Sequence, residues 1–269
     1  MLFRSSDPAV AQASPSGWRA WLVGQLRSGR ERLAALGLTL GLGLAVALLS
    51  LYLFAELADE VMEQDTLRLD NGVLGALRQY QSPALDWAAW LASMLGSEIL
   101  VVVMAVLLVV LGWQRRWGAA VGLLVTVVGA QLLNDVLKDW FHRTRPAPLT
   151  GLIPAQAFSF PSGHAMVAVA FYLYVAHLAW RLLPGRWRIV CVAFLVLIPV
   201  LVGLARLYLG VHYLTDVVAG YIAGLAWTNA VIVAGHVLGR RRAAARARGQ
   251  PPPEPAQAGA GLQNGARPT

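Results

Sequence analysis

The sequence predicts an all-α integral membrane protein, a bundle of six transmembrane helices whose N- and C-termini are both cytoplasmic. Of the 269 residues, 57% are hydrophobic and only 13% are charged, and the mean hydropathy is +0.57. Several apolar runs approach the roughly 20 residues that a helix needs to cross the hydrocarbon core of a bilayer. Arginines stand before the first run, between the second and third, between the fourth and fifth, and after the sixth. Arginine-rich segments favour the cytoplasmic side of a membrane.

Six apolar runs predict the six spans, and charged residues or a proline–glycine turn bound each of them. The spans are expected at residues 34–55, 99–113, 117–137, 161–180, 189–204 and 216–238. A shorter apolar piece at 87–95 precedes the second span. Pro199 predicts a kink in the fifth span, because proline removes a helical hydrogen bond.

Three segments differ from the apolar runs of the membrane domain, which is predicted over residues 34–239. Residues 1–33 are polar and arginine-rich, which predicts a cytoplasmic or interfacial segment without a removable signal peptide. Residues 56–83 are acidic, with apolar side chains at steps of three and four, which predicts a periplasmic amphipathic helix that caps the bundle. Residues 240–269 begin with arginines and become rich in proline, alanine and glycine, which predicts a disordered cytoplasmic tail.

The basic composition, with a net charge of +8, does not predict nucleic-acid binding. The arginines stand at the ends of apolar runs rather than along one helix face, which is typical of residues that orient membrane spans. The loops at 114–116 and 181–188 are therefore expected in the cytoplasm. Arg143, Arg145 and Arg206 fall on the opposite side, against this bias, and are candidates for function.

A first polar cluster follows the third span. Lys138, the only lysine, ends that span, and Arg145 precedes Pro146. Because proline pushes the preceding residue out of the helical region, Arg145 is expected to turn back toward Lys138. A lysine and a planar guanidinium together suit a phosphate group, although a solvated basic turn explains the pair equally well.

A second cluster, Pro161–His164, stands directly before the fourth span. Ser162 can cap the helix, and Gly163 lets the backbone approach a ligand closely. The N–H groups of a first helical turn form an anion site, and His164 beside it could protonate a leaving oxygen. A simple helix start with an interfacial histidine is an equal alternative.

The third cluster has the spacing R-x5-H-x3-D, formed by Arg206, His212 and Asp216. His212 and Asp216 are four residues apart and would share one face of a continuous helix. The carboxylate could fix the imidazole tautomer and leave the other nitrogen free as a nucleophile. A structural ion pair would explain Asp216 with an arginine but not the histidine at this spacing.

Together these motifs, over residues 138–216, resemble the three-part signature of the type 2 phosphatidic acid phosphatase superfamily, in its membrane-bound lipid phosphatase branch. The resemblance implies that His212, His164 and Asp216 are catalytic. It implies phosphate binding by Lys138, Arg145, Ser162, Gly163 and Arg206. The family often has serine before the third-motif arginine, whereas this chain has Ala205, a change that would remove one hydrogen bond to phosphate.

The resemblance further implies hydrolysis of a lipid phosphomonoester or diphosphate through a phosphohistidine, at the outer face of the inner (cytoplasmic) membrane. The expected substrates are undecaprenyl diphosphate, phosphatidylglycerol phosphate, phosphatidic acid or a lipid A phosphate. No metal or other cofactor is expected, because three cations already crowd the site and no second carboxylate accompanies Asp216 within the three clusters. The expected partners are the lipid substrate and the bilayer, without nucleic acid or an obligate protein partner.

Two alternatives stay open. A lipid phosphotransferase could use the same histidine and pass its phosphate to an acceptor other than water. A non-catalytic lipid-binding or transport protein is the other, but transporters commonly place their charges near the membrane midplane in repeated halves. Here the charges cluster at span ends.

Overall fold

The computed structural model describes residues 16–147 and 158–248, and within these ranges it contains helices and no strands. The helices are α1 (Ser16–Met62), α2 (Leu67–Arg78), α3 (Pro83–Met94), α4 (Glu98–Trp113), α5 (Trp117–Phe141), α6 (Gly163–Leu182), α7 (Gly185–Tyr208) and α8 (Leu214–Arg248). The predicted all-helical class is confirmed. The predicted termini and much of the tail, residues 1–15 and 249–269, lie outside the described residues.

Six segments of the described chain are long and apolar enough to span a membrane, which confirms the predicted count. They are Leu40–Met62, Pro83–Trp113, Trp117–Phe141, Gly163–Leu182, Gly185–Tyr208 and Leu214–Arg242. Which side of a membrane the termini occupy stays a prediction.

The second span differs from the prediction because it consists of two helices, α3 and α4, with a break at residues 95–97. The break accompanies close packing: a Cβ on Gly96 would lie 2.7 Å from the side chain of Val202 and 3.3 Å from the carbonyl oxygen of His164. Tyr172 donates a hydrogen bond from its hydroxyl to the Leu95 carbonyl, at 2.8 Å, so one carbonyl at the break keeps a partner.

The acidic segment 56–83 also differs from a single amphipathic helix. α1 continues to Met62, a turn with Gln64 at φ 65° follows, and only then does the amphipathic helix α2 begin. The new helix α3 starts at Pro83, where the Ser82 hydroxyl accepts a hydrogen bond from Leu85 N. The segment therefore contains a span end and two helix starts.

α6 is the centre of the bundle, since 61% of its apolar window is buried against 33% or less in the other spans. α8 packs directly on its backbone. A Cβ on Gly220 would lie 2.7 Å from the Ser162 carbonyl oxygen, and one on Gly224 would lie 2.5 Å from that of Met166. Glycines four residues apart allow this approach, as in other membrane helix pairs.

The chain divides into two compact units, residues 1–233 and 234–269. The first contains the helix packing described above. Of the second, the structure describes residues 234–248, which form the last part of α8. Disorder was predicted from residue 240, but α8 continues to Arg248, because the alternating arginines and alanines of this stretch are strong helix formers.

Candidate active site

A cavity of about 880 Å³ lies where α5 ends and α6 begins. Six of the eight predicted site residues line it, namely Lys138, Arg145, Gly163, His164, Arg206 and His212. The other two, Ser162 and Asp216, are fully buried and contact each other through the backbone, since Ser162 N donates to the Asp216 carbonyl oxygen at 2.9 Å. The three motifs thus meet in one place, while the role of each residue stays a prediction.

The end of α5 explains how Arg145 reaches the cavity. His142 adopts a left-handed conformation (φ 48°) and donates its N–H to the Lys138 carbonyl, so the helix ends and the chain reverses direction. Ser159 then holds the following non-helical residues, donating from its backbone N to the Arg143 carbonyl at 2.8 Å. Arg145 Nη1 donates to the Val211 carbonyl at 2.8 Å and lies 3.1 Å from His212 Nε2.

His212 lies in the turn before α8, so the expectation that it shares a continuous helix with Asp216 is wrong. The turn nevertheless brings His212 Nδ1 to 3.4 Å from Asp216 Oδ2. The Tyr213 N–H donates to the same carboxylate oxygen, at 2.9 Å. This hydrogen bond holds the turn against the first residues of α8. Because Gly210 adopts φ 68°, the chain can make this turn without strain.

The contact between His212 and Arg145 assigns the tautomer of the imidazole. A guanidinium can only donate, so Nε2 accepts from Arg145 and the proton lies on Nδ1, facing Asp216. Burial lowers the pKa of His212 to about 4, although the Asp216 carboxylate acts in the opposite direction. The imidazole is therefore neutral at pH 7, and the lone pair of Nε2 accepts from the Arg145 guanidinium at the wall of the cavity.

The start of α6 supplies polar groups of a different kind. Ser162 occupies the N-cap position but makes no capping hydrogen bond with its side chain, contrary to expectation. Its hydroxyl oxygen is buried without a hydrogen-bond partner among the described residues. Gly163 and His164 stand in the first turn, whose N–H groups have no acceptor within the helix. These groups suit an anion.

Arg206 comes from the last turn of α7 and is buried. Its Nη1 donates to the Ser93 hydroxyl at 2.9 Å, while its Nε has no hydrogen-bond partner in the described part of the chain. Ala205, beside it, packs with Ala89, Leu209 and Val211 and does not line the cavity. The expectation that this alanine removes a phosphate contact therefore receives no support from its position.

Four residues outside the eight predicted site residues make hydrogen bonds or ion pairs that hold the site together, namely Asn134, Ser93, Arg143 and Asp70. Asn134 donates to the Pro161 carbonyl at 3.2 Å and stands one helical turn before Lys138, a spacing that could have revealed it. Ser93 anchors Arg206 from an apolar run that carries no comparable signal. Arg143, which the charge pattern predicted to be functional, does not line the cavity and pairs with the carboxylates of Asp70 and Asp216.

Metal ions in proteins are commonly held by several histidine, cysteine or acidic side chains that lie close together. Among the described residues, no group of three such side chains lies close enough together to hold an ion. The lining of the cavity is mainly cationic at its polar end. The expectation that the reaction needs no metal stays a prediction.

Comparison with known proteins finds a family to which this part of the chain is similar. Residues 119–240, which include all three motifs, match the sequence model described as the PAP2 superfamily. Phosphatidylglycerophosphatase B of Bacillus subtilis (strain 168) is 39% identical over 115 residues, which are 42% of this chain and 56% of that protein. Lipid A 1-phosphatase of Rhizobium johnstonii is 36% identical over 117 residues, 39% of this chain and 43% of that protein.

A solved structure extends the likeness beyond the motifs. The transmembrane PAP2-type phosphatidylglycerolphosphate phosphatase from Bacillus subtilis matches with a TM-score of 0.65 and 29% sequence identity, over 72% of this chain and 96% of that one. The curated relatives are matched over only about half of their length. The family model, the curated relatives and the solved structure agree that the part of the chain that carries the three motifs is similar to the PAP2 superfamily.

Proposed function

We propose that this chain is an integral membrane phosphatase that hydrolyses a phosphomonoester or diphosphate of a lipid through a phosphohistidine on His212. The observation that carries the proposal is the composition of the cavity of about 880 Å³ at the end of α5. Its polar end holds the three motifs, and its other wall is formed by apolar side chains of α4 and α5. Val101, Val128 and Leu132 in this wall are 44–61% exposed, which supports an opening between these helices for a lipid chain.

In the proposed first step, Lys138, Arg145 and Arg206 hold the phosphoryl oxygens together with Ser162 and the N–H groups of Gly163 and His164. The phosphate replaces His212 as the acceptor of the Arg145 hydrogen bond, which frees Nε2. Nε2 then attacks phosphorus in line and the phosphorus–oxygen bond to the leaving group breaks. His164 donates a proton to the departing oxygen.

The second step regenerates the enzyme. His164, now without that proton, accepts one from a water molecule whose oxygen attacks phosphorus, and the bond from Nε2 to phosphorus breaks. Asp216 stabilises the positive charge that the phosphorylated imidazole carries, from 3.4 Å at Nδ1. Most of the rate enhancement in such a site comes from positioning and from preorganised positive charge, which these residues supply without a metal ion.

The distribution of charge supports a location for the reaction. We propose that the arginine-rich segments 114–116 and 181–188 face the cytoplasm, together with both termini, and that the cavity opens at the periplasmic or outer face of the inner membrane. The proposed membrane phosphatase domain is residues 34–239, flanked by cytoplasmic segments. Relatives that act on phosphatidylglycerol phosphate and on lipid A support a lipid substrate, and undecaprenyl diphosphate and phosphatidic acid are further candidates.

The test is phosphate release by detergent-purified protein, with excess EDTA, from phosphatidylglycerol phosphate, undecaprenyl diphosphate and phosphatidic acid. We expect the wild type to release phosphate from at least one lipid and His212→Ala to lose about 10³-fold or more in kcat. His177→Ala, toward the other end of α6, is the matched control and should retain activity.

Two results would contradict the proposal. Chelator-sensitive release would remove the metal-independent mechanism, and equal activity of His212→Ala would remove the phosphohistidine. If phosphate appears on an added lipid acceptor rather than in water, the protein is a phosphotransferase that uses the same histidine. If wild type and variant are both inactive but bind the lipids, a non-catalytic lipid-binding protein is the better description.

A further inference from the structure

Arg143 lies between two fully buried carboxylates. Its Nη1 donates to Asp216 Oδ1 at 2.6 Å, and its Nη2 donates to Asp70 Oδ2 at 2.8 Å. The side chain of Arg143 is 8% exposed, and those of both aspartates are 0% exposed. Buried charges at such distances are strongly coupled, because removal of one partner leaves the others without compensation.

Thr215 ties the second carboxylate to the same group. Its backbone N–H donates to Asp70 Oδ1 at 3.1 Å, and its hydroxyl donates to Asp70 Oδ2 at 2.7 Å. The same hydroxyl accepts from Arg143 Nη1 at 2.8 Å. Both oxygens of Asp70 are therefore occupied, and Asp70 holds the guanidinium and the threonine in one orientation.

The orientation of Asp216 depends on this arrangement. Arg143 holds Oδ1, while Oδ2 accepts from the Tyr213 N–H and faces Nδ1 of His212. The Arg143 guanidinium also lies over the Tyr213 ring, 4.4 Å from its centroid. If Asp70 no longer held Nη2 of Arg143, the guanidinium would lose one of its two anchors and could shift relative to Asp216, whose Oδ1 it holds.

Asp70 itself does not line the cavity, and its side chain is hydrogen-bonded to Arg143 and Thr215, which lie behind the motif residues. It belongs to α2, whose Leu74 is buried and whose Leu77 packs against Ala165, Leu207 and Val217 at the same end of the bundle. The amphipathic helix thereby delivers a charged side chain to the back of the site.

We infer that Asp70 is a positioning residue, which acts through Arg143 and Thr215 to hold the Asp216 carboxylate against His212. α2 is then a part of the active site and not only a cap on the bundle. The inference rests on the proposed function, because it takes His212 as the group that attacks phosphorus. Its test must therefore separate a failure of the inference from a failure of that proposal.

The experiment measures kcat and KM of purified Asp70→Asn, Arg143→Lys and the double variant on the lipid that the wild type hydrolyses best. We expect each single variant to lose at least about tenfold in kcat. This is the order of the loss found when a residue that hydrogen-bonds and orients a metal ligand is removed. KM should stay within about twofold, since neither residue lines the cavity. The double variant should lose little more than either single variant, because both act on the same carboxylate.

Asp86→Asn is the matched control. Asp86 is also an aspartate that accepts a hydrogen bond from a distant residue, the Tyr208 hydroxyl at 2.8 Å, but it has no link to Asp216. It should retain wild-type kcat. Thr215→Val keeps all three charges and removes only the hydroxyl contacts, so it carries the test if Asp70→Asn does not fold, and a smaller loss of kcat is expected.

The outcomes are distinguishable. Folded Asp70→Asn or Thr215→Val protein with wild-type kcat, while His212→Ala is inactive, would overturn the inference and leave the proposed function intact. Losses that add independently in the double variant, or that fall on KM alone, would also overturn it. An active His212→Ala would instead remove the proposed function on which the inference rests.

Discussion

Arginines occur at both ends of the helix bundle, but the two ends use them differently. At the end of α5 and α7, Arg143 and Arg206 are buried, and hydrogen bonds to other side chains hold them. At the start of α5 and the end of α6, Arg115, Arg116 and Arg181 are exposed around a second cavity of about 470 Å³. Burial and side-chain partners therefore distinguish the arginines at or behind the proposed site from the exposed arginines, which are expected to orient the spans.

The difference has an electrostatic reason. A charge in a low-dielectric site interacts far more strongly with a nearby phosphate than the same charge in water. Its burial is tolerated only if hydrogen bonds compensate it, as Ser93 does for Arg206. Exposed arginines need no such partners and are screened by salt.

The largest expected effect tests this comparison directly. Arg206→Ala should lower kcat/KM on the preferred lipid by about 10²–10³-fold, the cost of removing one preorganised donor from a site that stabilises developing charge. Arg181→Ala at the exposed end should stay within about twofold of the wild type. Steady-state phosphate release with both purified variants measures this. Equal effects of the two substitutions would break the comparison.

The second expected effect concerns His212, the fully buried histidine at the site end. Because burial lowers its pKa to about 4, it should stay neutral as the pH falls through 6.5 and gain a proton only near pH 4. NMR titration of protein with ¹⁵N-labelled histidine, in detergent, measures the midpoint, with the signal assigned by its loss in His212→Gln. A midpoint at or above pH 6 would show that the imidazole is solvated or that Asp216 outweighs burial.

The same shift affects stability. The folded-state pKa lies below the unfolded value, so the unfolded chain binds a proton between about pH 6.5 and pH 4 that the folded chain does not. The contribution of His212 to the free energy of unfolding is therefore fully present above pH 6.5. It decreases as the pH falls toward 4.

The smallest expected effect concerns Ala205, which is buried at the same end of the bundle as the proposed site but does not line the cavity. Ala205→Ser should leave kcat/KM within about twofold, since Ala205 packs among Ala89, Leu209 and Val211. Thermal unfolding should show a loss of stability of about 1–3 kcal/mol if the new hydroxyl finds no partner. A severalfold gain in kcat/KM would instead mean that the serine reaches the phosphate.

Hydropathy and local chemistry alone predicted much of this molecule. The six spans follow from the length of apolar runs, because the bilayer sets that length whatever the neighbouring helices do. Arg145 is non-helical, as the proline after it predicts, and α6 starts at Gly163, close to the predicted turn, although Ser162 makes no capping hydrogen bond. These are properties of a few neighbouring residues, so the sequence suffices to find them.

Contacts between distant segments decided the rest. Asp70 and Arg143 are 73 residues apart, and Ser93 and Arg206 are 113 apart, so no local pattern could pair them. The break between α3 and α4 depends on how closely Gly96 approaches Val202, and the turn at His212 depends on Tyr213 and Asp216. The sequence determines which groups are present and at which end of the spans they lie. Only the packed bundle decides which buried charges face one another, because that depends on helix positions set by the whole core.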